Sequence, residues 1–307
     1  MLRAMSKLPG ISFVGAGALA NGLAKRLRES GYRIDEIIVR DGRESLAKGR
    51  RLATKVRAKA VRLEQATFKA DLIWFAVPDD SLASCAESVA KAANWNGRIA
   101  LHSSGALTSD ELAPLRKLGA SVASLHPMMT FVKNQAPDLK GVAFAMEGDR
   151  RATAVGKRIA VDLGGTVFTI QKKAKPLYHV FGALLSPLLV SQLTAAEEVA
   201  KAAGIPASAV ATAMAPILLR TLENYFAEGG AKAFSGPLVR GDVQTIRRHV
   251  AALGQKPAAE VYKVLARYAV DQLPVKNGEE LKRVLTATTK SRRREGKHIP
   301  QLPSTRS

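Results

Sequence analysis

The chain has a single cysteine, Cys85, among its 307 residues. No disulfide can form within it and no thiolate cluster can hold a metal. That usage suits a reducing, cytoplasmic setting. Acidic residues are scarce, 26 Asp and Glu against 47 Lys and Arg, which leaves a net charge of +21. Aromatics make up only 5%. They are not interleaved with the basic runs as in nucleic-acid readers, which argues against nucleic acid as a partner. No uninterrupted apolar run approaches the ~18 residues of a membrane span. The longest, residues 179–193, carries Pro187, so no membrane partner is expected. Metal-ligand spacing, a nucleophile elbow and a phosphate-binding lysine loop are all missing, so no metal is expected.

What is present is ample for folding. Hydrophobic residues make up 47% of the chain, and the length suits one large domain or two ordinary ones. The positive charge is partly local. Residues 40–62, RDGRESLAKGRRLATKVRAKAVR, hold nine Lys or Arg against two acids, and residues 288–307 form a second basic stretch. Such patches suit phosphorylated ligands, nucleic acid or anionic lipid, or simply a solvated surface. The tail is expected to be disordered.

The first half alternates strand-like and helix-like segments. Strands are expected at 10–15, 34–40, 70–78, 98–105, 121–127, 141–148 and 166–171, with helices at 18–30, 44–56 and 79–93. Thr108 with Glu111 fits a capping box. Repeated strand–helix units imply a doubly wound, mostly parallel sheet, the α/β class. After residue 172 helical periods take over, at 175–203, 207–228, 242–253, 257–272 and 278–289, punctuated by Gly and Pro. The expected domains are a Rossmann-like domain over 1–172, an all-α domain over 173–287 and the tail from 288.

Gly15, Gly17 and Ala20 form G-x-G-x-x-A after a strand and at the start of a helix. The first glycine permits the tight turn, the second lets backbone approach a pyrophosphate, and the small third residue allows close helix–strand packing. Residues 1–20 also read as basic, apolar and then small, the order of an export signal. The strand–turn–helix explains them better. Gly15, Ala16, Gly17, Ala18, Leu19 and Ala20 are therefore candidate cofactor contacts. NAD sites place an acid at the end of the second strand. Here Val39 stands at that position, Arg40 follows, and Arg43 is close by, and a guanidinium suits a 2′-phosphate. NADP is the expected cofactor, unless the strand runs on and brings Asp41 into play. Val77 and Pro78 close another strand at its ligand edge, as does Ser103.

Several motifs occur in a specific order: FVGAGALA, FAVPD, LHSSGAL, SLHPMMTF, YHVFGALLSP and GPLVRGDVQTIRRHVAAL. In this the chain resembles a family of NADP-binding oxidoreductases whose substrate and reaction are not established. That family joins a Rossmann-like domain to a helical C-terminal domain of unknown function. It looks like a distant relative of pyrroline-5-carboxylate reductase, ketopantoate reductase and 6-phosphogluconate dehydrogenase. The resemblance covers the chain to about residue 285. It implies a homodimer built on the helical domain, substrate bound between the domains, and a catalytic lysine at the start of the first helix after the sheet, where Lys175 stands.

Proton donors are sought among His126, Lys175 and His179. Ser104, Tyr178, Ser186 and Arg240 are candidate substrate contacts, with bland readings beside each. The serines can cap helices, the lysines near 175 can be solvated, Tyr178 and His179 can pack at an interface, and Arg240 can pair with Asp242, itself placed to cap a helix. The resemblance leads one to expect Asn where Pro187 stands. Proline cannot supply that hydrogen bonding and should kink the helix. Two functions follow: an NADP(H)-dependent oxidoreductase of a small anionic carbonyl or imine, or a non-catalytic NADP-binding sensor.

Overall fold

The computed structural model describes residues 8–133 and 135–287. The basic stretch 288–307 and the start of the export-signal reading, residues 1–7, lie outside them. The chain divides into two compact units at Ser186 and Pro187.

The first unit is an eight-stranded sheet. Its elements are β1 (Gly10–Val14), α1 (Ala18–Glu29), β2 (Arg33–Val39), α2 (Arg43–Val56), β3 (Lys59–Arg62), β4 (Leu72–Phe75), α3 (Asp79–Ala90), β5 (Ile99–His102), α4 (Ala113–Lys117), β6 (Ser121–Pro127), β7 (Ala143–Gly148), α5 (Arg150–Asp162), β8 (Thr166–Thr169) and α6 (Lys175–Leu185). The strand order is β3-β2-β1-β4-β5-β6-β7-β8. Two crossovers leave in opposite directions from β1 and β4, so the carboxyl ends of those strands form the crevice where α/β sheets bind ligands. The central strands are buried on both faces, as the unbroken apolar run of β4, LIWF, reflects; β1 is interrupted only by the buried Ser12. Leu23 and Leu27 of α1, Leu52 and Val56 of α2 and Ile159 of α5 cover one face. Leu82, Ala86 and Val89 of α3, with Trp95, cover the other. Each such leucine contributes roughly 1.5–3 kcal/mol on burial.

Two features depart from the expected sheet. β3 is an additional short edge strand, and β7 runs antiparallel to β6, with His126 opposite Ala145 and Ser124 opposite Glu147. The sheet is mostly, not wholly, parallel.

The expected single helix over 175–203 is two. Ser186 leaves helical geometry (φ −127°, ψ −82°) and Pro187 opens α7 (Pro187–Ala202). The kink expected at this proline is therefore a full break. The second unit continues with α8 (Ala207–Glu228), α9 (Gly230–Ala233), α10 (Pro237–Arg240), α11 (Val243–Leu253), α12 (Pro257–Gln272) and α13 (Gly278–Thr286). Ile246, Ala266, Leu281 and Leu285 form its main core. Asp242 caps α11, accepting from the Thr245 N–H at 3.0 Å.

Candidate functional site

The glycine turn is held by backbone. Gly15 N–H donates to the Ile38 carbonyl at 2.8 Å. Gly15 has φ +108°, and a Cβ there would lie 2.4 Å from the Ala76 carbonyl oxygen. Only glycine meets both conditions. Gly17 differs: a Cβ there would meet nothing within 4 Å. It stands at the N-cap of α1, whose first turn carries no acid. Free N–H groups and the positive end of the helix dipole therefore face open space, which suits an anion.

That space is a cavity of about 560 Å³. Of the expected cofactor contacts, Gly15, Ala16, Gly17, Arg40, Val77 and Pro78 line it. Ala18 opens α1, and Leu19 and Ala20 pack into the core behind the turn. Arg43 is not among the lining residues; Ser45 and Lys48 of α2 are. Arg40 donates to Ser45 Oγ at 3.4 Å. Val39 ends β2 as expected, and Asp41 is paired with Arg62 at 3.1 Å. The facing wall is the stripe Ser81, Ser84, Cys85 and Ser88 of α3, positions at helical spacing. Burial pushes the Cys85 thiol up to about 11, so it stays protonated at neutral pH. The residues present fit a dinucleotide with an additional phosphate at the Arg40–Lys48 end.

The adjacent serines after β5 face opposite ways. Ser103 accepts from Trp74 Nε1 at 2.8 Å and donates to the Leu125 carbonyl at 3.0 Å. Its hydroxyl is bonded inside the sheet and is not free for the cofactor contact expected of Ser103. Ser104 donates to Asp79 Oδ2 at 2.8 Å and accepts from the N–H groups of Ala106 and Leu107. Its hydroxyl ties the loop together, and its carbonyl accepts from Lys175 Nζ at 2.9 Å.

Lys175 is not a solvated helix start. Its side chain is 2% exposed, and Nζ also donates to Ser124 Oγ at 2.5 Å and lies 3.9 Å from Glu147 Oε1. Burial lowers its pKa to about 8, against the pull of Glu147 and Asp79. Glu147 accepts from Ser109 N–H at 2.6 Å and Ser109 Oγ at 2.8 Å. One turn along α6, Tyr178 Oη lies 2.6 Å from His126 Nδ1, with the rings edge to face at 5.4 Å. Phe168 backs Tyr178 at 5.9 Å. Burial, then the charges of Lys175 and His179, lower the His126 pKa to about 4. Burial raises that of Tyr178 to about 12. A Cβ on Gly105 would lie 2.9 Å from the His179 ring and 3.0 Å from His126 Nε2. The two imidazoles therefore converge on Gly105. His102, unremarked in the sequence, is buried beside them: Nδ1 accepts from Ser104 N–H, Nε2 faces the Thr108 carbonyl at 3.0 Å, and its pKa falls to about 3 by burial.

The two clusters lie along one edge. Pro78 lines the cavity, and its neighbour Asp79 takes the Ser104 hydroxyl. Gly105 then meets His126 and His179.

Residues 6–127 match the family described as the Rossmann-like domain. Residues 142–269 match a domain of unknown function, DUF2520. The chain joins a Rossmann-like domain to a DUF2520 domain. Solved structures share the fold. A Bacteroides fragilis protein provisionally named an NADP oxidoreductase is 24% identical, with a TM-score of 0.71 over 85% of this chain and 97% of its own. A reductive aminase from Aspergillus terreus, in complex with NADPH and ethyl-5-oxohexanoate, is 16% identical, with a TM-score of 0.61 over 90% and 99%. A pyrroline-5-carboxylate reductase from Coxiella burnetii is 15% identical, with a TM-score of 0.53 over 91% and 96%. No curated protein matches the chain.

The DUF2520 match takes in β7, β8 and most of the helices, so it supplies Glu147, Lys175, Tyr178 and His179. Ser186, the C-cap of α6, is half-buried and bonded through its N–H to Gly182. Arg240 ends α10 and is exposed. Within Lys172–Ala202 an 18-residue window reaches mean hydropathy 1.4, long and apolar enough for a membrane span by length and composition. That corrects the expectation that no stretch comes near one, although the break at Ser186 divides it. The helical unit has its own mostly apolar cavity of about 560 Å³, where His249 Nδ1 lies 2.9 Å from Tyr262 Oη. No group of three or more potential metal ligands exists among the described residues.

Proposed function

We propose that this protein is an NADP(H)-dependent oxidoreductase acting on a small, anionic carbonyl or imine. The observation that carries this is Gly17: a glycine at a helix N-terminus facing an open cavity, with Arg40, Ser45 and Lys48 at the other end for a 2′-phosphate. A bound nicotinamide cofactor would supply or accept a hydride. Gly15–Gly17 would hold its pyrophosphate, and the His126, Tyr178 and His179 cluster would handle the proton. The fold relatives named for NADP, reductive amination and pyrroline-5-carboxylate support the class, and the single cysteine suits a reducing compartment. The test is titration of NADPH and NADH against the purified chain, followed by fluorescence. Micromolar NADPH binding with weaker NADH binding is expected. No binding of either at high micromolar concentration refutes the reading.

Pro187 favours a second reading, a cofactor-binding sensor without turnover. Binding of NADPH with no reduction across keto acids and cyclic imines would select it. We also propose a second copy of the chain as partner. Leu177, Val180, Phe181 and Leu184 on α6 and, in the other unit, Ile217 and Phe226 on α8 are all exposed, and large exposed apolar side chains at helical spacing suit a protein interface.

A further inference from the structure

We infer that His126 is the proton donor of the reaction, a neutral imidazole carrying its hydrogen on Nε2 because the Tyr178 hydroxyl occupies Nδ1, and that its substrate is a carbonyl compound rather than an imine. This rests on the oxidoreductase reading and deepens it.

The tautomer follows from counting donors. Tyr178 Oη has one hydrogen and, among the described residues, one hydrogen-bond partner, His126 Nδ1 at 2.6 Å. If Nδ1 carried the ring hydrogen, the phenol hydrogen would have no acceptor in a buried position, which is costly. With the phenol donating, the ring hydrogen sits on Nε2. That nitrogen lies against Gly105, where a Cβ would come within 3.0 Å of it. The one sealed side-chain nitrogen or oxygen without a partner among the described residues is Ser12 Oγ, so Nε2, which has no partner there, is not sealed from its surroundings. The ring itself is fixed, packed edge to face on Tyr178, which is backed by Phe168.

Lys175 is excluded as donor by its geometry. Its ammonium is committed to the Ser104 carbonyl, Ser124 Oγ and Glu147 inside the protein. It is a positioning residue: it anchors the carbonyl of Ser104, whose neighbour Gly105 leaves room for both imidazoles. Burial first, and then its charge and that of His179, keep His126 neutral.

The charges facing the ring decide the substrate class. From α6 come Lys175 and His179, from the end of β5 comes neutral His102, and from α3 comes Asp79, taken by Ser104. Glu147 is taken by Ser109 and Lys175. No uncommitted carboxylate is among these groups. An imine must be protonated to an iminium cation before hydride adds, and a neutral imidazole is too weak an acid to do that beside a buried ammonium. A carbonyl needs only a hydrogen bond to its oxygen before hydride adds, and a proton afterwards. As hydride reaches carbon, the C=O π pair moves to oxygen, and that oxygen takes the hydrogen of Nε2. Nδ1 takes the phenol hydrogen in the same passage, leaving neutral imidazole and a Tyr178 phenolate, a weaker base than the alkoxide it replaces. The phenolate regains its proton from water by the reverse passage through the ring once product has left.

The test uses the full chain, labelled with ¹⁵N at histidine, with long-range ¹H–¹⁵N correlation spectra assigned by His126→Gln. A neutral Nε2–H signature for His126 from pH 5.5 to 8, lost or mixed in Tyr178→Phe, is expected. An imidazolium or an Nδ1–H ring at pH 7 overturns the proposal. In parallel, NADPH oxidation is followed with a keto acid and a cyclic imine of the same carbon skeleton. The keto acid is expected to turn over faster. His126→Gln should lower kcat roughly 100-fold or more, with NADPH Kd and melting temperature little changed. Faster imine reduction, or an unaltered kcat in His126→Gln, overturns it. Failure of the wild-type chain to bind NADPH would instead remove the oxidoreductase reading, while the tautomer signature is read without cofactor.

Discussion

Lys175 Nζ and Glu147 Oε1 lie 3.9 Å apart, with side chains 2% and 4% exposed. Neither charge reaches water, and each is completed by neutral partners: Ser104 and Ser124 for the lysine, Ser109 for the glutamate. An ion pair sealed in this way is balanced as a unit, and removing one member leaves the other uncompensated.

Lys175→Ala should therefore destabilise the first unit by about 3–5 kcal/mol. The double variant Lys175→Met with Glu147→Gln should lose clearly less than the sum of its single variants. Urea unfolding of the four proteins checks this. Additive losses would mean that the pair is not coupled.

Acid should unfold the protein earlier than its carboxylates alone would dictate. His102 and His126 are held neutral, with pKa values lowered to about 3 and about 4, against about 6.5 in an unfolded chain. Below pH 6.5 the unfolded state binds protons that the folded state refuses. Stability is thus complete above 6.5 and falls as pH drops towards 4, by up to about 3 kcal/mol per histidine. Melting temperature measured from pH 4 to 7 should show this slope, and His126→Gln should flatten it.

The two glycines of the turn should fail differently. Gly15→Ala puts a Cβ 2.4 Å from a backbone carbonyl at a left-handed φ, so both folding and cofactor binding should suffer. Gly17→Ala meets open space. It should keep its melting temperature within a few degrees and weaken NADPH binding roughly tenfold or more by crowding the pyrophosphate.

Cofactor preference should reside at the far rim of the cavity. Arg40→Ala with Lys48→Ala should weaken NADPH binding about 10- to 100-fold, from two charge-assisted contacts of roughly 1.5–3 kcal/mol each partly offset by solvent. NADH binding should change little. Arg43→Ala, outside the cavity lining, should leave the ratio unaltered. Paired fluorescence titrations decide this.

The glycine turn was legible because turn chemistry is local: strand, two glycines and a helix start lie within one short stretch. At Pro187 only a kink was legible, since proline removes a helix bond; that Ser186 leaves helical geometry and splits the segment in two was not. The short edge strand β3, KAVR, has basic ends and too few apolar residues to show a period. The direction of β7 was invisible because a strand's own residues do not say which way its neighbour runs. The burial of Lys175 was hidden by its surroundings, since KKAK reads as solvated and its partners Ser104, Ser124 and Glu147 come from three other segments. The serines and Cys85 of α3 are spaced for one helix face, but only the sheet shows that the face looks into the cavity.

The reversal of β7 has one more consequence. Because β7 runs against β6, Glu147 is directly opposite Ser124, and both reach Lys175. A slip of one residue along that pairing would carry Glu147 to the other face of the sheet. The lysine would then be sealed in with no counter-charge. The buried ammonium thus acts as a latch on strand alignment, penalising any slip of β6 against β7 that turns Glu147 away from it.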